Sequence, residues 1–165
     1  MKLLTRDELE KAGKYLNFAV TLATKSNCLS SRCGSVIVKN DDIIGQGYNS
    51  PPLDEKISAC WKDSLPADFK SDRTCCVHAE QRAILDALTR KQGEINGSIL
   101  YFARVNEQGE NAPVKNIYCT ICSKMGLDVG ISEWILQQEN KIIAYDAREY
   151  NKLSFNFNVY EFRKV

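Results

Sequence analysis

The residues best equipped for chemistry fall in two short stretches. His78 is the one histidine of the chain, so any step that needs an imidazole must use it. Glu80 stands two positions later, in His78-Ala79-Glu80. Cys119-Thr120-Ile121-Cys122 sets two thiols three positions apart, at what reads as the start of a helix. Unpaired N–H groups and the helix dipole favour thiolate there. One imidazole and two thiolates are preferred donors for zinc, and three protein ligands leave the fourth tetrahedral position open for water, as in a catalytic site. Zn2+ is therefore the expected cofactor, with His78, Cys119 and Cys122 as its ligands. Glu80 then has a task, because a carboxylate beside an activated water can take its proton and deliver it elsewhere.

Three other readings use the same residues. A redox CxxC follows a strand in a thioredoxin-like order and would leave His78 and Glu80 idle. A structural zinc site would recruit Cys75 or Cys76 as a fourth ligand and give Glu80 no purpose. Thiols also serve simply as small core residues.

These residues need elements to hold them. Ala79, Ala83, Ile84, Ala87 and Leu88 recur at three and four positions, which predicts a helix from about Val77 to Arg90. In its first turn His78 and Glu80 would diverge by about 200°, so they border one cavity only where the helix end opens into it. A second helix is expected from about Cys119 to Val129, stopped by Gly130. An earlier one follows the capping box Thr5-Arg6-Asp7-Glu8, with an apolar stripe at Leu9, Ala12, Leu16, Ala19, Val20 and Ala23 running to about Lys25.

Gly34–Val38, the turn Asn40-Asp41-Asp42 and Ile43–Gly45 predict a hairpin, ended by Pro51-Pro52. Ile99–Val105 is nearly all apolar and so central. Glu133–Leu136 and Lys141–Tyr145 are further strands, and a short helix fits Ala147 to Lys152. From Leu153 the tail alternates at Phe155, Phe157, Val159 and Phe162, which suggests an edge strand. The aperiodic segment 51–74, with Cys60, Trp61, Pro66 and Phe69, is expected to form a packed active-site wall or an oligomer contact. Asn106–Tyr118 reads as a second long loop. This order predicts an α/β fold: one domain over residues 1–165, three-layer α/β/α, with a central mixed five-stranded sheet.

Composition narrows the partners. The chain has 165 residues, 44% apolar and 26% charged, and a formal charge of +1. Those values are ordinary for a soluble globular protein and give little support to a polynucleotide partner. No stretch approaches a membrane span, and the apolar start Met1–Leu4 is too short for a signal sequence. Seven cysteines, an odd number, argue for reduced thiols and a cytoplasmic location over a disulfide framework.

Over about residues 16–136 the chain resembles the zinc-dependent cytidine/deoxycytidylate deaminase family, most of all its deoxycytidylate (dCMP) type. Five stretches carry the likeness: Cys33-Gly34-Ser35-Val36-Ile37-Val38, Gly47-Tyr48-Asn49-Ser50, His78-Ala79-Glu80-Gln81, Cys119-Thr120-Ile121-Cys122-Ser123-Lys124, and Gly130-Ile131. The resemblance implies a cytidine-deaminase-like domain that hydrolyses a cytosine nucleotide, first of all dCMP to dUMP, with release of ammonia. It implies His78, Cys119 and Cys122 as zinc ligands and Glu80 as the proton shuttle to N3 and the leaving ammonia. Asn49 matches a residue that holds sugar or base, the Ala79 backbone matches a contact to the pyrimidine edge, and Ser30, Ser31 and Arg32 fall where nucleotide-type members approach phosphate. A small-molecule substrate and a homo-oligomer, dimer or hexamer, are implied too.

Alternatives are a deaminase of another nucleoside or base, or of a base in RNA, and, from another class, a non-catalytic zinc-stabilised nucleotide-binding or scaffold protein. Three departures bear on substrate: Tyr118 replaces the family's proline, Arg82 replaces an asparagine, and the loop Asn106–Ile117 is long. Cys28, Cys33, Cys60 and one of Cys75 or Cys76 could form a second zinc site, as in some relatives.

Overall fold

Residues 1–66, 75–115, 117 and 119–155 are described by the structure, a computed structural model. The capping box forms as its residues require. The Glu8 N–H donates to Thr5 Oγ1 at 3.4 Å, and the Thr5 N–H donates to the Glu8 carboxylate at 2.8 Å. Helix α1 then runs Arg6–Ala23 and buries Ala12, Tyr15, Leu16, Ala19, Leu22 and Ala23. The hairpin pairs β2 (Arg32–Lys39) with β3 (Asp42–Tyr48). Asn40 and Asp41 both take left-handed backbone at its tip, φ 49° and 69°, the twist that tight hairpins favour.

Helix α2 is Ala79–Arg90, β4 is Ile99–Val105, α3 is Thr120–Asp128, β6 is Glu133–Gln138, β7 is Lys141–Asp146 and α4 is Ala147–Ser154. All five expected strands are present, with β4 between β2 and β6. The sheet has seven strands because two-residue pieces join it: β1 (Lys2–Leu3) along β7 and β5 (Asn111–Ala112) along β4. Its order is β1-β7-β6-β4-β2-β3. The β4–β6 pair is parallel and the others antiparallel, so the sheet is mixed.

Period-two alternation divides the core into two. Val36, Val38, Tyr101, Ala103, Ile135 and Ala144 face α1. Ile37, Leu100, Phe102, Trp134, Leu136 and Tyr145 face the layer of α2, α3 and α4. Helix α2 lies directly on β3 because β3 offers no side chain there. A Cβ at Gly47 would stand 2.5 Å from the Ala79 carbonyl oxygen and 2.6 Å from the Ala83 nitrogen. The glycine thus sets the height at which the start of α2 crosses the sheet.

Three expectations change. Leu153 and Ser154 belong to α4, so no edge strand begins there, and β1 takes the edge beside β7. Phe157, Val159 and Phe162 lie outside the described residues. The loop after β4 is partly ordered as sheet: Asn106 and Glu110 close a turn by three bonds, and the Val114 N–H donates to the Gln137 carbonyl at 2.8 Å. The segment after Pro51 contains 3-10 turns at Pro52–Asp54 and Trp61–Ser64, with Cys60 buried but Trp61 exposed. Phe69 lies outside the described residues.

Candidate active site

Two helix starts meet under one end of the sheet. His78 is the residue before α2 and has extended backbone, φ −72° and ψ 155°. It is therefore outside the helical spiral, and the divergence expected from Glu80 does not arise. Its N–H donates to the Gln81 side-chain oxygen at 2.9 Å, which fixes the approach to the helix. Cys119 occupies the matching position before α3, in left-handed backbone with φ 77° and ψ 75°. That conformation is costly for a residue with a Cβ. It turns the sulfur inward, where the Cys122 N–H approaches it at 3.5 Å.

The result is a triangle. Nδ1 of His78 lies 3.1 Å from Sγ of Cys119 and 3.3 Å from Sγ of Cys122, and the two sulfurs are 3.0 Å apart. Among the described residues, these are the only three or more ligand-type atoms of His, Cys, Asp or Glu that converge in this way. The three donors converge on one point, and the set of one imidazole and two thiols fits zinc.

Shared protons bind the group together. The bond between the Cys119 and Cys122 sulfurs holds the Cys119 thiol well below the usual thiol range against its burial, with His78 adding to the pull. The same bond, with burial, pushes the Cys122 thiol well up. His78 rises to about 9, chiefly through its bond to Cys119, against burial, with Glu80 helping. Burial lifts the Glu80 carboxyl to about 7, opposed by His78. A divalent cation among these donors would displace the protons, because it binds thiolate and neutral imidazole.

Glu80, in the first turn of α2, is 6% exposed and interacts with the Cys122 thiol. Ala79 is fully buried at the first helical position. Asn49 sits at the end of β3, beside the bridge that joins Ser50 to Val77. Its Oδ1 accepts from the Cys33 N–H at 2.7 Å and from the Ser26 hydroxyl at 2.8 Å, and its Nδ2 donates to the Ser31 carbonyl at 2.6 Å. Ser26 is a partner that no spacing in the sequence signals.

Arg32 is not gathered into this group. Its guanidinium donates to the carbonyls of Asn106 and Glu107, and strand alternation directs it away from the face that buries Cys33. The remaining cysteines form a chain of contacts, Cys76 sharing hydrogen bonds with Cys28 and Cys75, though among the described residues no three of them converge as His78, Cys119 and Cys122 do. Cys60 and Cys75 have sulfurs 3.8 Å apart, while Cys33 packs in the core beside the Ser31 hydroxyl at 3.4 Å. Tyr118 lies outside the described residues.

The sequence profile of the cytidine and deoxycytidylate deaminase zinc-binding region matches residues 9–138. The chain belongs to this family. It is 29% identical over 133 residues to the deoxycytidylate deaminase of Saccharomyces cerevisiae, covering 78% of this chain and 38% of that protein. Against the deoxycytidylate deaminase of Mycobacterium phage D29 it is 33% identical over 98 residues, 54% of this chain and 74% of that one. The chain thus spans about four-tenths of the yeast relatives it matches, 38% of each.

Solved structures agree on the fold. The dCMP deaminase of cyanophage S-TIM5, in complex with dCMP and dUMP, superposes with a TM-score of 0.54 at 23% identity, over 79% of this chain and 81% of that one. Cytidine deaminase from Burkholderia pseudomallei gives 0.57 at 16% identity, over 89% and 96%. Among the described residues no helix is long and apolar enough to cross a membrane.

Proposed function

We propose that the chain is a zinc-dependent hydrolytic deaminase that converts dCMP to dUMP and releases ammonia. The observation that carries the reading is the triangle of His78, Cys119 and Cys122, with sides of 3.0 to 3.3 Å, beside the buried carboxyl of Glu80. The names of its relatives point to the same substrate.

His78, Cys119 and Cys122 would hold the metal. Bound there, zinc supplies a Lewis acid with one open position, at which a water ionises near neutral pH. Glu80, almost wholly buried, takes one proton from the attacking water and passes it to N3 of the cytosine as oxygen adds to C4. It then takes the second proton from that hydroxyl and passes it to the amine, which leaves as ammonia as the C4 carbonyl forms. Burial equips it for both directions, because an apolar surround makes the carboxyl a readier proton acceptor than an exposed one. The backbone of Ala79 at the start of α2 meets the pyrimidine edge. Asn49 turns its remaining amide hydrogen to the sugar, its other polar positions being occupied by Cys33, Ser26 and Ser31.

The protein self-associates on this reading. Leu85 and Leu88 on the outer face of α2, and Leu53 and Trp61 beyond β3, are exposed apolar groups suited to a contact. Free thiols persist best in a reducing compartment, which supports a cytoplasmic location.

The test is ammonia release by zinc-loaded protein from dCMP, CMP, deoxycytidine, cytidine and the corresponding adenine and guanine compounds. dCMP should be the best substrate and yield one dUMP per ammonia. Zinc-replete protein that releases no ammonia from any of them would contradict the proposal.

A further inference from the structure

The turn that follows Asn49 is held by a side chain from α2 that touches none of the ligand residues' donor atoms. Arg82 begins at the metal end of the helix, where its N–H donates to the His78 carbonyl at 3.1 Å. Its guanidinium then reaches across to the 48–54 turn. Nη1 donates to Asp54 Oδ1 at 2.9 Å, and Nη2 donates to the Pro51 carbonyl at 2.8 Å and the Ser50 carbonyl at 3.4 Å. The same group stands 5.5 Å from the centre of the Tyr48 ring. Tyr48 donates its hydroxyl to Asp54 Oδ2 at 2.9 Å, so the two oxygens of Asp54 are divided between Arg82 and Tyr48.

The turn needs such a hold. Leu53 and Asp54 both have left-handed backbone, φ 58° and 59°, which residues with a Cβ adopt only when the surroundings enforce it. Leu53 is 92% exposed, so its side chain supplies no packing to enforce anything. What remains is polar: the Arg82 bonds to Ser50, Pro51 and Asp54, the bonds from the Asp54 and Glu55 N–H groups to the Pro51 and Pro52 carbonyls, the Ser50–Val77 bridge, and Asn27, which donates to the Asp54 carbonyl at 3.1 Å. One planar fork serving three acceptors is a task for arginine, since a lysine ammonium cannot present parallel donors in fixed geometry.

We infer that Arg82 is a positioning residue: by clamping the 48–54 turn onto α2 it holds Asn49 at a fixed distance from the metal ligands and sets affinity for the sugar-bearing substrate. Resting on the deaminase reading, this assigns Arg82 no contact with the reacting atoms. The clamp therefore governs KM more than kcat.

The experiment uses zinc-loaded full chain, wild type against Arg82→Ala, Arg82→Lys and Asp54→Asn, with zinc content checked for each. Two readouts are taken: hydrogen exchange at the Ser50, Asp54 and Glu55 amides, each bonded to a backbone carbonyl in the structure, and kcat and KM for dCMP. Arg82→Ala should speed exchange at all three amides and raise KM about tenfold, with kcat within about threefold and zinc retained. Arg82→Lys should restore only part of the loss. Adding Asp54→Asn to Arg82→Ala should cost less than the two single effects combined, as partners in one network do.

Unchanged exchange in Arg82→Ala and in Asp54→Asn overturns the clamp. Faster exchange with unchanged KM, or a loss confined to kcat, overturns the substrate role. If wild type itself spares dCMP, the deaminase reading fails and the exchange data alone judge the clamp.

Discussion

Among the described residues the four α-helices begin in two different ways, and the contrast separates scaffold from site. Helices α1 and α4 start on oxygen caps. Thr5 and Glu8 satisfy each other's backbone at α1. Asp146 accepts from the Arg148 and Glu149 N–H groups at 2.9 and 3.2 Å at α4. Helices α2 and α3 start instead on His78 and Cys119: at α2 the His78 N–H is taken by the Gln81 side-chain oxygen, and at α3 the Cys119 sulfur, in place of an oxygen, faces the Cys122 N–H from a strained backbone. Where the chain needs only a stable helix it uses the residues that stabilise one. Where two helix ends point at each other it places donors for a cation. At Cys119 local stability is given up where the site gains from it.

Predictions on each side of this contrast run from total loss to a small shift. Cys119→Ala should reduce bound zinc from one per chain to near zero and remove ammonia release altogether, as read by metal analysis and assay. An enzyme that kept both would break the distinction at its root. Glu80→Gln should keep its zinc, because Glu80 is not a donor to the ion, and lose roughly a thousandfold in kcat. Wild-type turnover in that variant would leave the proton shuttle unassigned. Strain at Cys119 gives a subtler test. In the presence of a chelator, Cys119→Gly should be about 1 kcal/mol more stable to urea than Cys119→Ala, since glycine accepts a φ of 77°. Equal stability would mean that the ligand position stores no strain. Last, Thr5→Ala should cost about 1 kcal/mol of unfolding free energy and leave zinc and turnover untouched. A loss of activity there would show that the α1 cap also serves the site.

Much of this was legible in the residues themselves. The capping box at Thr5 and Glu8, the apolar stripes of α1 and α2 apart from the exposed Leu9 and Leu88, and the hairpin through Asn40 and Asp41 are local signals, set by neighbours a few positions apart. His78, Glu80, Cys119 and Cys122 could be singled out because metal chemistry demands particular atoms. What escaped is non-local. Two-residue strands such as β1 and β5 carry no period, since their pairing is decided by β7 and β4. Asn49 resembled a substrate residue, yet no spacing announced that Cys33, Ser26 and Ser31 would occupy three of its positions. Arg32 was expected at a phosphate, but the Asn106–Glu107 turn lies within reach of its side chain and takes its guanidinium. Arg82 was visible only as a departure from a family pattern. Its partners Asp54 and Tyr48 are brought to it by a turn whose left-handed residues are not glycines, so the sequence gives no warning of it.

X-ray absorption at the zinc edge of the purified, metal-loaded chain tests the central claim most directly. The account predicts two sulfur neighbours at about 2.3 Å and lighter nitrogen or oxygen neighbours at about 2.0 Å, at one zinc per chain. Four sulfur neighbours, or a chain that retains no zinc, would contradict it.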